Sequence, residues 1–483
     1  MVRDSRSPSV RDRANRLRGV AARMAEGSMA RIVVVGGVAA GMSAASQAKR
    51  RAPEAEVVVL ERGPYVSYGA CGMPYNLLDP GRAIEDLVVI TPERFRDERG
   101  IDVRTRHEAS AIDLGRRRVR ARDLSSGQEL ELGYDALVLA TGARAVRPPL
   151  PGMDLPGVFV LRELTDGAAM KRFLAEAAPR RAVIVGAGYV GMEMAEALRA
   201  RGLAVTVLEK MTQLLPGFAP PVVEAVQREL ARHGVEAHTG VSVTEIRRGD
   251  RELAVVTDRG PFPADLVLVS VGVRPNSALA EAAGLATGAS GAIAVDDAQR
   301  TSAPGVWAAG DCAEARHLVT GRPAWIPLGT TANKQGKVAG ANAAGADERF
   351  GGIVGSAAFK VFGLEVGRTG LAPAEASRAG LDFVAATSTH RSRGHAYPGA
   401  SEITTVLLAE RATGRLLGAQ LVGAEGVTGR VDVYATALTA GWSVSALEQL
   451  DLAYAPPLAP VYDPILVAAG VAEKALAKAR RPA

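Results

Sequence analysis

The chain has 483 residues, 47% of them hydrophobic and 23% charged, with a formal net charge of +6. At about 150 residues per domain this suggests roughly three domains, with cores large enough to need neither disulfides nor metals. The two cysteines, Cys71 and Cys312, exclude a disulfide scaffold and a multi-cysteine zinc protein, and no apolar run reaches the roughly 18 residues of a membrane span.

Residues 1–28 hold seven Arg against Asp4, Asp12 and Glu26, so most of the positive charge sits in this leader. The remaining body is too weakly basic to bind nucleic acid by charge. The leader lacks the apolar centre of a secretory signal and reads as a disordered extension ahead of a fold that starts at Met29. The low thiol count suits a reducing compartment, so a cytoplasmic location is expected.

Residues 31–61 read as a strand, a Gly-rich turn, a small-residue helix and a second strand ending in Glu61, with Arg62 next to it. The turn is Gly36-Gly37-Val38-Ala39-Ala40-Gly41. Residues 181–209 repeat the plan through Gly186-Ala187-Gly188-Tyr189-Val190-Gly191 and end in Glu209. Apolar runs such as Ile32 to Val35 suit buried parallel strands. The glycines permit a tight turn and bring backbone amides to a pyrophosphate, with the helix N-terminus behind them. Each acid, 25 residues after Gly36 and 23 after Gly186, is placed to accept from a ribose diol. The second turn matches G-x-G-x-x-G; the first has Val38 at the middle glycine. Two such units predict two dinucleotide sites.

Further along, the strand Tyr134 to Leu139 ends in Ala140-Thr141-Gly142. Gly272 precedes a segment that reads as a hinge, Val273-Arg274-Pro275-Asn276. Another strand delivers Asp311 next to Gly310, suited to ribityl or pyrophosphate oxygens. A small-residue helix begins near Thr331 and Ala332, with its N-terminus available to an anion. The six histidines are scattered without metal-ligand spacing, so no metal is expected.

With the two turns, the Ala-Thr-Gly and the Gly-Asp in this order, the chain resembles the FAD- and NAD(P)H-dependent pyridine nucleotide-disulfide oxidoreductases over residues 30 to about 470. The resemblance implies an α/β fold like that of glutathione reductase: two Rossmann-like dinucleotide-binding domains and an α+β C-terminal dimerisation domain. It places the FAD domain at 29–149 and 275–345, the NAD(P)H domain at 150–274 and the interface domain at 350–475, with a first hinge at Arg147 to Gly152. FAD is then expected on Gly36, Gly37, Ala39, Ala40, Gly41, Glu61, Arg62, Ala140, Thr141, Gly142, Gly310, Asp311, Thr331 and Ala332. NAD(P)H is expected on Gly186, Gly188, Tyr189, Val190, Gly191, Glu209 and Gly272, with Tyr189 as a movable cover and Glu209 favouring NADH over NADPH. Glu196 is expected near the flavin.

The segment Ser67-Tyr68-Gly69-Ala70-Cys71-Gly72-Met73-Pro74-Tyr75-Asn76 sets the branch. Two-cysteine members need a second thiol where Asn76 stands, and a C-terminal histidine where this chain has none after His395. The segment resembles instead the single-cysteine branch: coenzyme A-disulfide reductases, persulfide reductases and NADH oxidases. The absence of histidine from the first glycine turn disfavours a peroxidase. Cys71 is the expected redox nucleophile, and its place before a helix start is expected to lower its thiol pKa. Cys312 is expected only to pack. Coenzyme A, as substrate or mixed-disulfide partner, is expected at Gln47, Arg50 and Ser67, although Ala70 stands where the branch carries Asn. Tyr397 and Tyr462 lie in segments resembling those a partner subunit lays over the cysteine, which implies a homodimer and a tyrosine acid. The alternatives are an NADH oxidase working through a Cys71 sulfenic acid and a flavoprotein redox carrier or sensor.

Overall fold

The structure is a computed structural model describing residues 29–249 and 252–481; the leader expected at 1–28 lies outside them. The first repeat consists of β1 (Arg31–Val35), α1 (Ala39–Arg51) and β2 (Glu56–Leu60). The two strands run parallel with Ile32 opposite Val57, and each buries four of its five residues, the pattern of strands covered on both faces. Then come α2 (Met73–Leu78), β3 (Ile101–Arg104) and β4 (Ala136–Leu139). The sheet order is Val306–Ala308, β4, β1, β2, β3, so the chain leaves this unit after β4 and returns to pair beside the same strand.

The second unit holds β5 (Val158–Phe159), β6 (Arg181–Val185), α3 (Tyr189–Ala200), β7 (Ala204–Glu209), β8 (Glu236–Thr239) and β9 (Leu266–Val269). Its parallel sheet has the order β8-β7-β6-β9-β5. The outgoing and returning chains cross side by side: Ala143–Ala145 pairs antiparallel with Val273–Pro275. Thr141 Oγ1 donates to the Asn276 carbonyl at 2.6 Å, and Asn276 Nδ2 donates to the Thr141 carbonyl at 2.9 Å.

Back in the first unit, α4 (Gly329–Ala343) lies against α1. A Cβ on Gly336 would sit 2.3 Å from the Ala40 carbonyl oxygen, and one on Gly340 would sit 2.1 Å from that of Ala44. Only glycine permits this approach.

The third unit is an antiparallel sheet of β10 (Ala357–Val361), β11 (Leu364–Gly370), β12 (Phe383–Arg391), β13 (Glu402–Glu410) and β14 (Leu416–Gly423), in the order β10-β11-β14-β13-β12. Helix α5 (Val427–Ala440) packs on β11 and β14, and α6 (Pro464–Ala479) packs on β12 and β13. Asp463 caps α6 by accepting from Ile465 N at 2.9 Å, and it pairs with the buried Arg430 of α5 at 2.7 Å.

The largest core joins the second and third units and takes in Met73 and Leu77 of α2. Helix α2 packs against α3. The segment carrying Cys71 is thereby seated where the units meet. Among the described residues no helix is long and apolar enough to cross a membrane.

Candidate active site

The two glycine turns are built alike. Gly36 and Gly186 have φ of +108° and +104°, and a Cβ on either would strike a carbonyl oxygen, of Ala140 at 2.1 Å or of Ser270 at 2.5 Å. A Cβ on Gly41 would meet Gly36 O at 1.8 Å, and one on Gly191 would meet Gly186 O at 2.3 Å. Gly188 has open space where its Cβ would be. Helices α1 and α3 start with no side-chain cap and no acid in the first turn, so their leading amides remain for a ligand. Glu61 Oε2 accepts from Gly37 N at 2.7 Å, and Glu209 Oε2 accepts from Ala187 N at 2.8 Å. The second oxygens accept from Gly63 N at 2.6 Å and Met211 N at 2.8 Å. Burial holds Glu61 above the ordinary carboxylate range, against the pull of the Gly63 and Gly37 amides. Free helix amides, glycine-only approaches and an acid fixed at each turn fit two dinucleotides.

The structure gathers several of the expected residues round the first turn. A Cβ on Gly310 would meet the Cβ atoms of Ala40 at 2.7 Å and Ala332 at 3.4 Å. Gln335 of α4 accepts from Gly310 N at 2.9 Å. Thr141 and Gly142 follow β4, Ala39 opens α1, and Thr331 lies in the first turn of α4. Arg62 pairs with Glu163 at 2.6 Å. Gly272, with φ of +108°, precedes the returning crossing. In the second unit Val190 is exposed, while Tyr189 is half-buried with ring centroids 5.1 Å from Phe359 and 6.0 Å from Phe218. Asp311 has a partner that sequence reasoning missed: Arg162 Nη2 donates to it at 2.5 Å and Arg162 Nε to the Ala143 carbonyl at 3.0 Å.

Cys71 sits in a single turn of 3-10 helix, Ala70–Gly72, just before α2, and its side chain meets solvent. The expected lowering of its pKa is overturned. Atoms crowded round the thiol push it up and the Glu193 carboxylate adds to the push; the pull of Arg162 does not balance them. The following α2 is only six residues long, a weak source of helix-end potential. Asn76, where a second thiol would stand, is buried; its Nδ2 donates to the Ala83 carbonyl at 2.6 Å. Cys312 is fully buried, its sulfur 3.5 Å from the Leu139 carbonyl oxygen and 3.4 Å from that of Ala309, and burial pushes its thiol up.

Glu196 also needs correction. Its carboxylate accepts from Lys360 Nζ at 2.5 Å and from Phe362 N at 2.7 Å, so it faces the third unit. The carboxylate that acts on Cys71 is Glu193, one helical turn earlier, which accepts from Tyr75 Oη at 2.8 Å. Burial pushes Glu193 up to about 7.

A cavity of about 350 Å³ opens beside α1, with Val38, Ser43, Arg50, Ser67, Arg99 and Lys337 in its wall. Val38, the departure from the glycine pattern, is thus part of that wall. Arg99 and Lys337 carry no local motif and were missed. Gln47 is half-buried and outside the wall: Ser43, Ser46 and Arg50 share the lining face of α1, and Gln47 is one step round the helix from Ser46. Tyr397 and Tyr462 are exposed on the third unit, the latter at 71%, together with Tyr454, Leu458 and Val461. No hydrogen bond links either tyrosine to Cys71 within the described chain. Among the described residues no group of three or more His, Cys, Asp or Glu is arranged to hold a metal.

These features define an enzyme with two dinucleotide sites and one exposed thiol between its units. The family model for pyridine nucleotide-disulphide oxidoreductases matches residues 30–336, and that for the dimerisation domain of the same family matches 356–464. The chain belongs to this family, and FAD and NAD(P)H are its cofactors. A Pyrococcus abyssi protein named NAD(P)H sulfur oxidoreductase (CoA-dependent) is 40% identical over 441 residues, 91% of this chain and 97% of that one. An NADH oxidase of Methanocaldococcus jannaschii is 35% identical over 447 residues, 92% of this chain and 99% of that one. The solved structure of an NAD-dependent persulfide reductase from A. fulgidus is 39% identical with a TM-score of 0.89, covering 92% of this chain and 83% of that one.

Proposed function

We propose that the protein reduces coenzyme A disulfide, or a related persulfide or disulfide, at Cys71 with NAD(P)H as the electron donor. The observation that carries this reading is an exposed, partnerless Cys71 four residues from Ser67, which lines a cavity holding Arg50, Arg99 and Lys337. Three cations round a cavity of this size suit the phosphates of a nucleotide-bearing thiol. The similarity to a CoA-dependent sulfur oxidoreductase supports the same assignment.

On this reading residues 29–149 and 275–345 hold FAD, 150–274 hold NAD(P)H, and 350–475 form the interface. When bound, these cofactors supply the two-electron chemistry. The amides of the α1 start, with Glu61 fixed by Gly37, hold the first nucleotide; those of the α3 start, with Glu209, hold the second. Tyr189 moves from its place against Phe359 and Phe218 to admit the nicotinamide.

Cys71 attacks one sulfur of the substrate disulfide, and the other sulfur leaves as a thiol. Two electrons and one proton then break the Cys71 mixed disulfide, which frees the second thiol and restores the Cys71 thiolate. Tyr397 and Tyr462 of a second copy reach this site in a homodimer, where one of them is the acid. The protein works in the cytoplasm.

The test is Cys71→Ser. The variant should keep FAD and still be reduced by NADH, because neither step uses the thiol, and should lose disulfide reduction. Cys312→Ser should turn over nearly as the parent does. Equal loss in both variants with FAD retained would mean that two thiols cooperate. Rapid NADH consumption by the parent with oxygen alone, unaffected by coenzyme A disulfide, would select the oxidase instead.

A further inference from the structure

Asp311, the carboxylate expected on the ribityl chain, is fixed from two units at once. Its backbone is held within the first: Gln335 accepts from Gly310 N, and Trp325 Nε1 donates to the Asp311 carbonyl at 2.8 Å. Its side chain is held from the second. Arg162 Nη2 donates to Asp311 Oδ2 at 2.5 Å across 149 residues of sequence, in a pair only 30% and 14% exposed. Among the described residues no hydrogen bond reaches the other oxygen, Oδ1.

Arg162 is itself anchored. Its Nε donates to the Ala143 carbonyl, where the outgoing chain pairs with the returning one, and its backbone amide donates to Asp166 Oδ2 at 2.9 Å. Asp166 Oδ2 also accepts from Glu163 N at 2.8 Å, which fixes the start of the helix Leu164–Glu176. The next side chain, Glu163, turns toward the other end of the nucleotide site: Arg62 Nη2 donates to it at 2.6 Å, beside Glu61. One helix start in the second unit thus sends a cation to Asp311 and an anion to Arg62. An ionised carboxylate only accepts, so Oδ1 needs a donor from the ligand. The ribityl hydroxyls of FAD offer one; its phosphates do not.

We propose that Arg162 is a positioning residue for FAD supplied by the NAD(P)H unit: it takes Oδ2 of Asp311 and turns Oδ1 to the ribityl chain, while Glu163 steadies Arg62 at the adenosine end. The inference rests on the placement of FAD in the first unit. FAD retention is then tied to the docking of the second unit, and the two charges contribute unequally. The Arg162–Asp311 pair is mostly buried, whereas the Arg62–Glu163 pair is about half exposed and solvent screens it.

The experiment measures FAD binding on the full-chain holoenzyme. Flavin fluorescence on serial dilution gives the FAD Kd. Displacement by ADP gives the Ki of a probe with the adenosine and phosphates but no ribityl chain. Arg162→Met should raise the FAD Kd on the order of tenfold and leave the ADP Ki unchanged. Asp311→Asn should weaken FAD with the same selectivity, and the double variant should be no weaker than Asp311→Asn alone, because the arginine acts through the carboxylate. Glu163→Gln should weaken FAD and ADP alike, by about threefold. Should Arg162→Met not fold, Arg162→Lys puts one nitrogen in place of the fork that serves both Asp311 and the Ala143 carbonyl, and should show the same selectivity at smaller amplitude. An unchanged FAD Kd in the Arg162 variants, an equal loss of FAD and ADP in them, or full additivity with Asp311→Asn overturns the inference. If Asp311→Asn binds FAD as the parent does, the placement of FAD itself has failed; if Asp311→Asn weakens FAD and the Arg162 variants do not, only the role of Arg162 has failed.

Discussion

The Lys171 ammonium donates to both the backbone carbonyl and the side-chain oxygen of Asn76, each at 2.9 Å. A third bond reaches the Asp79 carbonyl, also at 2.9 Å. Lys171 belongs to the helix Leu164–Glu176 of the second unit, so one side chain from that unit closes the C-terminal end of α2 in the first. A cation there satisfies carbonyls that the short helix leaves open and complements its dipole. The residue in the place of a second redox thiol is thus used to fix the first.

Lys171→Met should therefore cost about 2 kcal/mol, because three acceptors lose a charged donor. Denaturant unfolding read by flavin fluorescence checks this. Lys171→Arg should recover part of the loss. A midpoint for Lys171→Met equal to that of the parent would show that water replaces the ammonium without cost.

The cavity cations make a second prediction. Arg99 lines the wall and donates to Ser46 Oγ at 3.1 Å; Lys337 reaches the same space from α4. Arg99→Met and Lys337→Met should each raise KM for coenzyme A disulfide on the order of tenfold while leaving NADH oxidation by an artificial dye unchanged. The parent's KM should rise with salt, and the double variant should lose most of that dependence.

Nucleotide choice forms a third. Both oxygens of Glu209 are held by backbone amides, which fixes the carboxylate at the end of β7, where its charge repels a second anion. The parent should have the higher kcat/KM with NADH. Glu209→Ser should move the NADPH-to-NADH ratio by roughly tenfold toward NADPH. Its thermal midpoint should also fall, because Glu209 is buried and two amides lose their acceptor.

A fourth concerns assembly. The surface carrying Tyr454, Leu458, Val461 and Tyr462 is apolar and exposed on the single chain. Light scattering should report a dimer, as the matched dimerisation domain implies. Leu458→Glu should weaken the dimer and lower disulfide turnover together, with FAD retained. A fully active monomer would remove Tyr397 and Tyr462 from the site.

The two nucleotide turns were legible in the sequence because each is local: glycines, a helix start and an acid within one strand-helix-strand unit. The Gly-Asp and Ala-Thr-Gly segments were legible for the same reason. Arg162, Lys171 and Tyr75 were not, because their partners lie 149, 95 and 118 residues away and no local pattern announces them. The exchange of Glu196 for Glu193 has a plain cause. Both stand on α3 a turn apart, and the docking of Lys360 and Phe362 marks Glu196 as the one that meets the third unit. The direction of the Cys71 shift is hidden from the sequence for the same reason: a helix start is visible there, while the crowding of the thiol and, after it, the carboxylate brought in from α3 are not.

The paired crossings, Ala143–Ala145 beside Val273–Pro275, have a further consequence. Adjacent strands in a sheet are about 5 Å apart, so the second unit begins and ends at nearly one point. The chain enters and leaves the second unit through this one neck, while the shared core holds the same unit against the third along a separate face. Residues 146 to 272 expressed alone would expose their share of that core, so the excised unit should associate or aggregate until core-facing side chains such as Phe218 and Val222 are made polar. A second unit exchanged at the neck therefore carries over a nucleotide preference only when its face toward the third unit is matched as well.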